Sequence, residues 1–268
     1  MKTRFIINIL LIAIILLVTV FSIDYVITKG LKKSNSIYFN NLTKVFSGNL
    51  DTDLLIMGSS KAYVQISPTI IENKLNIRSH NLALDGNPFF VQSVLFDKYL
   101  EHNNSPKFVI QVVSNSTLTS NENSNEIYLY QKFLPYFDDI DVRDMLMSSE
   151  KNISKFIKYI PILKFHGQKL FIVEGVLSFF GVNYTSTNLQ KGYNPQNVEW
   201  DNKMYEKFIE INKNKDDDQT ENFDDQTLEK FIKYISKCKE NNIELILVYP
   251  PIYHKSQNIL VDEYRLLA

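Results

Sequence analysis

The longest apolar stretch of the chain runs from Phe5 to Ile23, 19 residues without a charge, interrupted only by Asn8, Thr19 and Ser22. At about 1.5 Å per residue a helix of that length covers about 29 Å, close to the hydrocarbon thickness of a bilayer. Beyond it the pattern changes to short apolar runs closed by turn residues. Asp53 to Met57 stops at Gly58, Arg78 to Ala83 leads into Asp85-Gly86-Asn87-Pro88, Lys107 to Val113 ends at Ser114-Asn115-Ser116, and Glu244 to Tyr249 is closed by Pro250-Pro251. Runs this short and continuous read as strands covered on both faces, as in a parallel sheet.

Helical patterns separate these runs. Ser67-Pro68 supplies an N-cap with proline at the first helical position, starting a helix to about Leu75. Pro88 to Tyr99 carries apolar residues at Phe89, Phe90, Val94, Leu95 and Tyr99, which suits an amphipathic helix. Leu228, Phe231, Ile232, Ile235 and Cys238 recur at helical spacing within Asp225 to Asn241. The expected fold is therefore α/β, a parallel doubly wound sheet of the flavodoxin-like kind with right-handed crossovers.

The alternation lapses over about 116–224, which reads as an insertion and a candidate lid over the sheet edge. Ile127 to Phe180 is helical in pattern, and Asn183 to Trp200, with Gly192 and Pro195, reads as a long loop. Asp216, Asp217 and Asp218 read as a solvated loop, since they lack the ligand spacing of a metal site. The organisation expected is a transmembrane signal anchor over 1–28, a juxtamembrane linker over 29–50 with a short helix in Ile37 to Phe46, and an α/β domain over 51–268. A last helical piece is expected from Gln257 to Leu267.

Lys2 and Arg4 precede the apolar stretch, and no small-residue cleavage site is obvious, which favours an uncleaved anchor. Lys29, Lys32 and Lys33 follow the span and oppose the positive-inside bias, yet an N-terminal span before a long domain resembles an export signal. A single pass of the cytoplasmic membrane with the domain outside is expected, with the bilayer as partner through Phe5–Ile23. The net charge of −1 argues against nucleic acid as a partner. The lone cysteine, Cys238, excludes an intrachain disulfide and reads as a small core residue. Lys61 follows two serines, but the spacing of a phosphate-binding loop is absent. No cofactor or metal is expected.

In a parallel sheet, ligands gather at the carboxyl ends of the strands. Those ends here carry Ser60, Gly86 and Asn115. A serine hydroxyl beside a glycine N–H and an asparagine amide makes a nucleophile with an oxyanion hole. Ser59 and Ser60 taken alone also suit an ordinary turn or helix N-cap. Asp85 reads as shaping its turn, although Asp85 and Asn87 also flank Gly86 where a substrate would be oriented. Of the four histidines, His80 falls in or near the second strand, His102 ends a helix and His166 lies in the insertion. His254, five residues past the fourth strand, lies at the catalytic edge and reads either as a surface or packing residue or as a substitute general base.

With Gly58-Ser59-Ser60, Asn81-Leu-Ala-Leu-Asp-Gly86 and Asn115 in order, the chain resembles the SGNH/GDSL hydrolase superfamily, in the membrane-anchored bacterial branch whose first block reads Gly-Ser-Ser. The resemblance covers about residues 50–115 and 225–255. It implies Ser60 as nucleophile and oxyanion donor, Gly86 as the second-block glycine, and Asn115 at the third-block asparagine, without that block's glycine and aspartate. It implies an esterase or O-acyltransferase working on an envelope glycan or glycolipid, with an envelope polysaccharide or acyl donor as partner. A non-catalytic SGNH-like binding or assembly protein for envelope polysaccharide is the alternative. The family's base is a histidine three residues after an aspartate. No Asp-x-x-His occurs in this sequence, so the expectation is a chain that stops before that block or works without it.

Overall fold

The computed structural model describes residues 2–114, 117–118, 130–149, 155–182, 188–213 and 224–251. The chain divides into two compact units, Met1–Ser47 with Ile127–Thr187 and Gly48–Glu126 with Asn188–Ala268.

The second unit is built on a parallel four-stranded sheet of β1 (Leu54–Met57), β2 (Ser79–Asn81), β3 (Phe108–Val112) and β4 (Glu244–Val248), in the order β2-β1-β3-β4. All four expected strands are present within a residue or two of their expected limits. Leu54 aligns with Ser79 on one side and with Phe108 on the other, and Phe108 aligns with Glu244. Alternate residues face opposite layers, which explains the unbroken apolar runs of β1 and β3. β4, at the edge of the sheet, departs from the expected cover on both faces: among the described residues its Ile246 and Leu247 are exposed. Leu54, Ile56, Ile110 and Val112 pack with Ala62 and Tyr63 of α3 (Ser60–Gln65) and Ile71 of α4 (Pro68–Leu75). On the other parity, Gln111 meets Gln92 of α5 (Phe89–His102). There Phe89 of α5 meets Phe231 of α9 (Asp225–Glu240) edge to face, and Phe96 packs at a tilt on Tyr234. Cys238 is buried in α9 as expected, and burial pushes its thiol up to about 11. The outer edge of β2 is covered by residues 188–194: the Asn81 N–H donates to the Lys191 carbonyl, and Leu189 joins the core.

The first unit is helical. α1 (Lys2–Leu31) contains the whole apolar stretch, long and apolar enough to cross a membrane, with side chains exposed along it. It continues past Ile23, and Ile27 and Leu31 are fully buried. The stretch expected as a linker is folded: α2 (Asn40–Phe46) buries Leu42 and Val45, and Phe46 stacks on Tyr136 at 3.9 Å. The insertion supplies α6 (Ile140–Ser149), α7 (Lys169–Phe179) and short 3₁₀ turns at Gln131–Tyr136, Lys155–Lys158 and Pro161–Phe165. It is divided between the units, because 127–187 groups with α1 and 188–213 with the sheet. Within 183–200 only an isolated Gln190–Tyr193 bridge interrupts the described loop, and α8 (Asn202–Lys213), which the sequence reading did not anticipate, follows it. The acidic cluster Asp216–Asp218 and the helix expected from Gln257 lie outside the described residues.

Candidate functional site at the carboxyl edge of the sheet

Strand order reverses between β1 and β3, because the chain leaves β1 for β2 on one side and returns to β3 on the other. Such a reversal opens a crevice beyond the carboxyl ends of the two strands. β1 ends there in Gly58, whose φ of +148° suits only glycine. A Cβ at this position would lie 2.7 Å from the Ala62 Cβ and 3.0 Å from the Val112 Cβ. The turn therefore passes tightly between α3 and the end of β3. Ser59 takes the N-cap position and Ser60 is the first residue of α3, half-buried at the tip of an inner strand. The first helical bond runs from the Tyr63 N–H to the Ser59 carbonyl at 3.0 Å.

The neighbouring strand end is held beside this turn. The Leu82 N–H donates to the Ile56 carbonyl and the Leu84 N–H to the Gly58 carbonyl, so the backbone follows β1 to its tip past the end of regular β2. Gly86, two residues on, has φ +69° and is exposed. A relay of side-chain amides fastens its turn: Gln111 Nε2 donates to Gln92 Oε1 at 2.9 Å, Gln92 Nε2 to the Asn87 carbonyl at 2.8 Å, and Asn87 Nδ2 to the Asp85 carbonyl at 2.8 Å. The Asn87 N–H closes the turn on the Leu84 carbonyl. Among the described residues Asn87, not the Asp85 carboxylate, shapes this turn; Asp85 is exposed. Asn81, fully buried, donates from Nδ2 to the Ala62 and Ile66 carbonyls and accepts from the Ala83 N–H. It locks the second strand to the helix that Ser60 begins.

Lys61 Nζ lies 5.4 Å from the Tyr249 ring, so the start of α3 also meets the chain leaving β4. After β3 the chain turns at once, with the Ser114 N–H donating to Thr117 Oγ1 and the Thr117 N–H to the Ser114 carbonyl. Asn115 and His254 lie outside the described residues. His80 is buried in β2, His102 ends α5 and His166 is exposed. No group of three or more His, Cys, Asp or Glu suited to a metal ion occurs among the described residues.

Comparison with protein-family models, curated proteins and solved structures gives no match. The chemistry of the edge therefore rests on its own geometry. Ser60 and Gly86 end adjacent strands at one edge. The sequence reading missed what holds them there, the amides of Asn81, Gln92 and Gln111. The available signal was a glutamine within the apolar run Phe108–Val112.

The opposite edge of the sheet is ionic and lies away from this chemistry. Asp53, just before β1, accepts from Arg78 Nε at 2.8 Å and lies 3.1 Å from Lys107 Nζ, and Arg78 also pairs with Asp51. The Arg78 hydrogen bond, then that of Lys107, hold the Asp53 carboxyl at about 2.

Proposed function

We propose that this chain is a membrane-anchored serine esterase or O-acyltransferase of the SGNH type, acting on acyl esters of an envelope glycan or glycolipid, with its sheet domain on the extracytoplasmic side. The observation that carries this reading is the turn at Gly58, which fixes Ser60 at the tip of an inner strand beside the reversal of strand order. The order β2-β1-β3-β4 with helices on both faces suits the doubly wound plan of that superfamily. The Ser60 Oγ bonds to the ester carbonyl carbon as its proton passes to a base, for which this sequence offers His254 beyond β4. Negative charge gathers on the carbonyl oxygen, stabilised by the N–H groups of Ser60 and Gly86 and the Asn115 amide. The ester C–O bond breaks, and the alcohol leaves with the proton held by the base. Water or a sugar hydroxyl then accepts the acyl group from Ser60, which separates hydrolysis from transfer.

The test is hydrolysis of a nitrophenyl acetate probe by the purified chain in lipid nanodiscs, with folding followed by circular dichroism. Turnover that falls to the uncatalysed rate in Ser60→Ala and persists in Ser59→Ala is the expected result. A folded wild-type chain with no turnover above that of Ser60→Ala would instead favour the binding or assembly reading.

A further inference from the structure

The helical unit exposes apolar residues in several places, Tyr38, Ile140 and Leu170 among them, and one group of them lies around the end of α7 and the two turns before it. α7 packs on α1 in the reverse direction: the Phe171 ring meets Tyr38 and Phe39, Gly175 crosses at Ile27 and Gly30, and Phe179 meets Tyr25. The crossing is so close that a Cβ at Gly30 would overlap the Gly175 carbonyl oxygen. α7 therefore ends beside Asp24 and Tyr25, where the apolar stretch of α1 gives way to charge. Lys164, its side chain only 4% exposed, pairs with Asp24 at 3.1 Å and brings the turn Pro161–Phe165 to the same level. At that level the surface is apolar: Tyr159 is 69% and Phe180 73% exposed, and Phe156, Ile160, Leu163 and Val182 are exposed as well.

Apolar area gathered in one place marks a covered surface. Its position says what covers it. If Phe5–Ile23 fills the hydrocarbon, the next residues of α1 cross the headgroup layer, roughly 5–8 Å deep on each side. The exposed ring stands at that depth, beside the span itself. Aromatic side chains concentrate at this depth in membrane proteins, and basic ones face the lipid phosphates. Lys29 and Lys33 stand over the rings of Tyr25 and Phe179.

We propose that the end of α7 and the two turns before it lie in the headgroup region of the bilayer, so that the helical unit is seated on lipid beside its anchor. The partner is the phospholipid surface. The inference rests on the reading of α1 as a span.

The test uses the full chain with Cys238→Ala, reconstituted in vesicles of phosphatidylcholine and phosphatidylglycerol. One cysteine at a time is introduced as Leu11→Cys, Tyr159→Cys, Phe180→Cys or Lys169→Cys and labelled with an environment-sensitive dye. Brominated lipids then quench each dye according to depth. Leu11 should be quenched by bromines deep in the chains, Tyr159 and Phe180 by shallow bromines with blue-shifted emission, and Lys169, at the far end of α7, by neither. If Leu11 is quenched while Tyr159 and Phe180 behave like Lys169, the lipid seat is wrong and the anchor stands. Blue-shifted emission at 159 and 180 without quenching would mean that protein covers this face, and overturns the inference. An unquenched Leu11 overturns the anchor reading and the seat with it.

Discussion

The sheet unit and the helical unit bury their apolar residues by different means. In the sheet unit burial is local: four consecutive residues, Leu54 to Met57, are all buried because layers cover both faces of the strand. Its buried polar groups include the amides Asn81, Gln92 and Gln111, which bond to backbone or to one another, and one charge, Lys98, paired with Glu101 within the same helix. In the helical unit burial is assembled from two segments far apart in the sequence, Ile27 and Phe39 from one and Phe133 and Phe165 from the other. It also buries charge, as Lys164 against Asp24 and Glu174 against Ser34. A sheet of parallel strands prescribes its own surroundings from short runs. A helical assembly around one long apolar helix depends on one close crossing and on ions that are tolerated only while paired.

The comparison is broken most forcefully at that crossing. Gly30→Leu sets a side chain against the backbone of Gly175, and the helices have to part. A loss of more than about 4 kcal/mol is expected, enough to open the helical unit. Hydrogen exchange should show α7 exchanging freely while β1, β3 and α5 keep their protection. Equal loss of protection in the sheet would show that the two units unfold together.

Gly58→Ala is the counterpart in the sheet unit. It combines a disfavoured φ with contacts at 2.7 and 3.0 Å, for an expected loss of about 3 kcal/mol. Denaturant unfolding followed through the exchange of β1 and β3 measures it. A loss below about 1 kcal/mol would mean that the turn relaxes freely and does not hold Ser60 in place.

The smallest effect lies at the ionic edge. The folded Asp53 carboxyl sits at about 2, below its ordinary value of 3.8, because Arg78 and Lys107 favour the charged form. A depressed carboxyl stabilises the fold at pH above its unfolded value. That stabilisation is lost as pH falls from about 4 towards 2. Since Arg78 and Lys107 are exposed, the contribution is about 1 kcal/mol or less. Asp53→Asn should lower the melting temperature slightly at pH 7, and most of the difference from wild type should be gone by pH 2. A difference undiminished at pH 2 would assign the loss to packing.

These effects follow the limits of what was legible in the sequence. β1, β3 and β4 were legible as bounded apolar runs, whereas β2, Ser79-His80-Asn81, has no apolar residue and was legible only from its place between a helix and the turn at Asp85-Gly86-Asn87-Pro88. The helices Pro68–Leu75, Phe89–His102 and Asp225–Glu240 were legible from a cap, a proline or regular spacing. The folding of 29–50 was not, since Leu31, Phe39 and Val45 are buried only with the distant helical unit around them. α8 was missed although Met204, Tyr205, Phe208 and Ile209 recur at helical spacing, the same signal that revealed Asp225–Glu240. At the candidate site, strand ends pointed to Ser60 and Gly86. The hydrogen bonds of Asn81 and Asn87 could not be read, because an asparagine near a turn has many possible partners and only the fold selects among them.

Covalent capture of Ser60 tests the central claim most directly. The full chain in nanodiscs is treated with a fluorophosphonate, digested with trypsin and read by mass spectrometry. Trypsin releases Val45–Lys61 as one peptide, containing Ser47, Ser59 and Ser60. The expected result is an adduct on Ser60 that survives Ser59→Ala and disappears in Ser60→Ala. An adduct that persists in Ser60→Ala, or a folded chain that takes none, contradicts the assignment of the nucleophile.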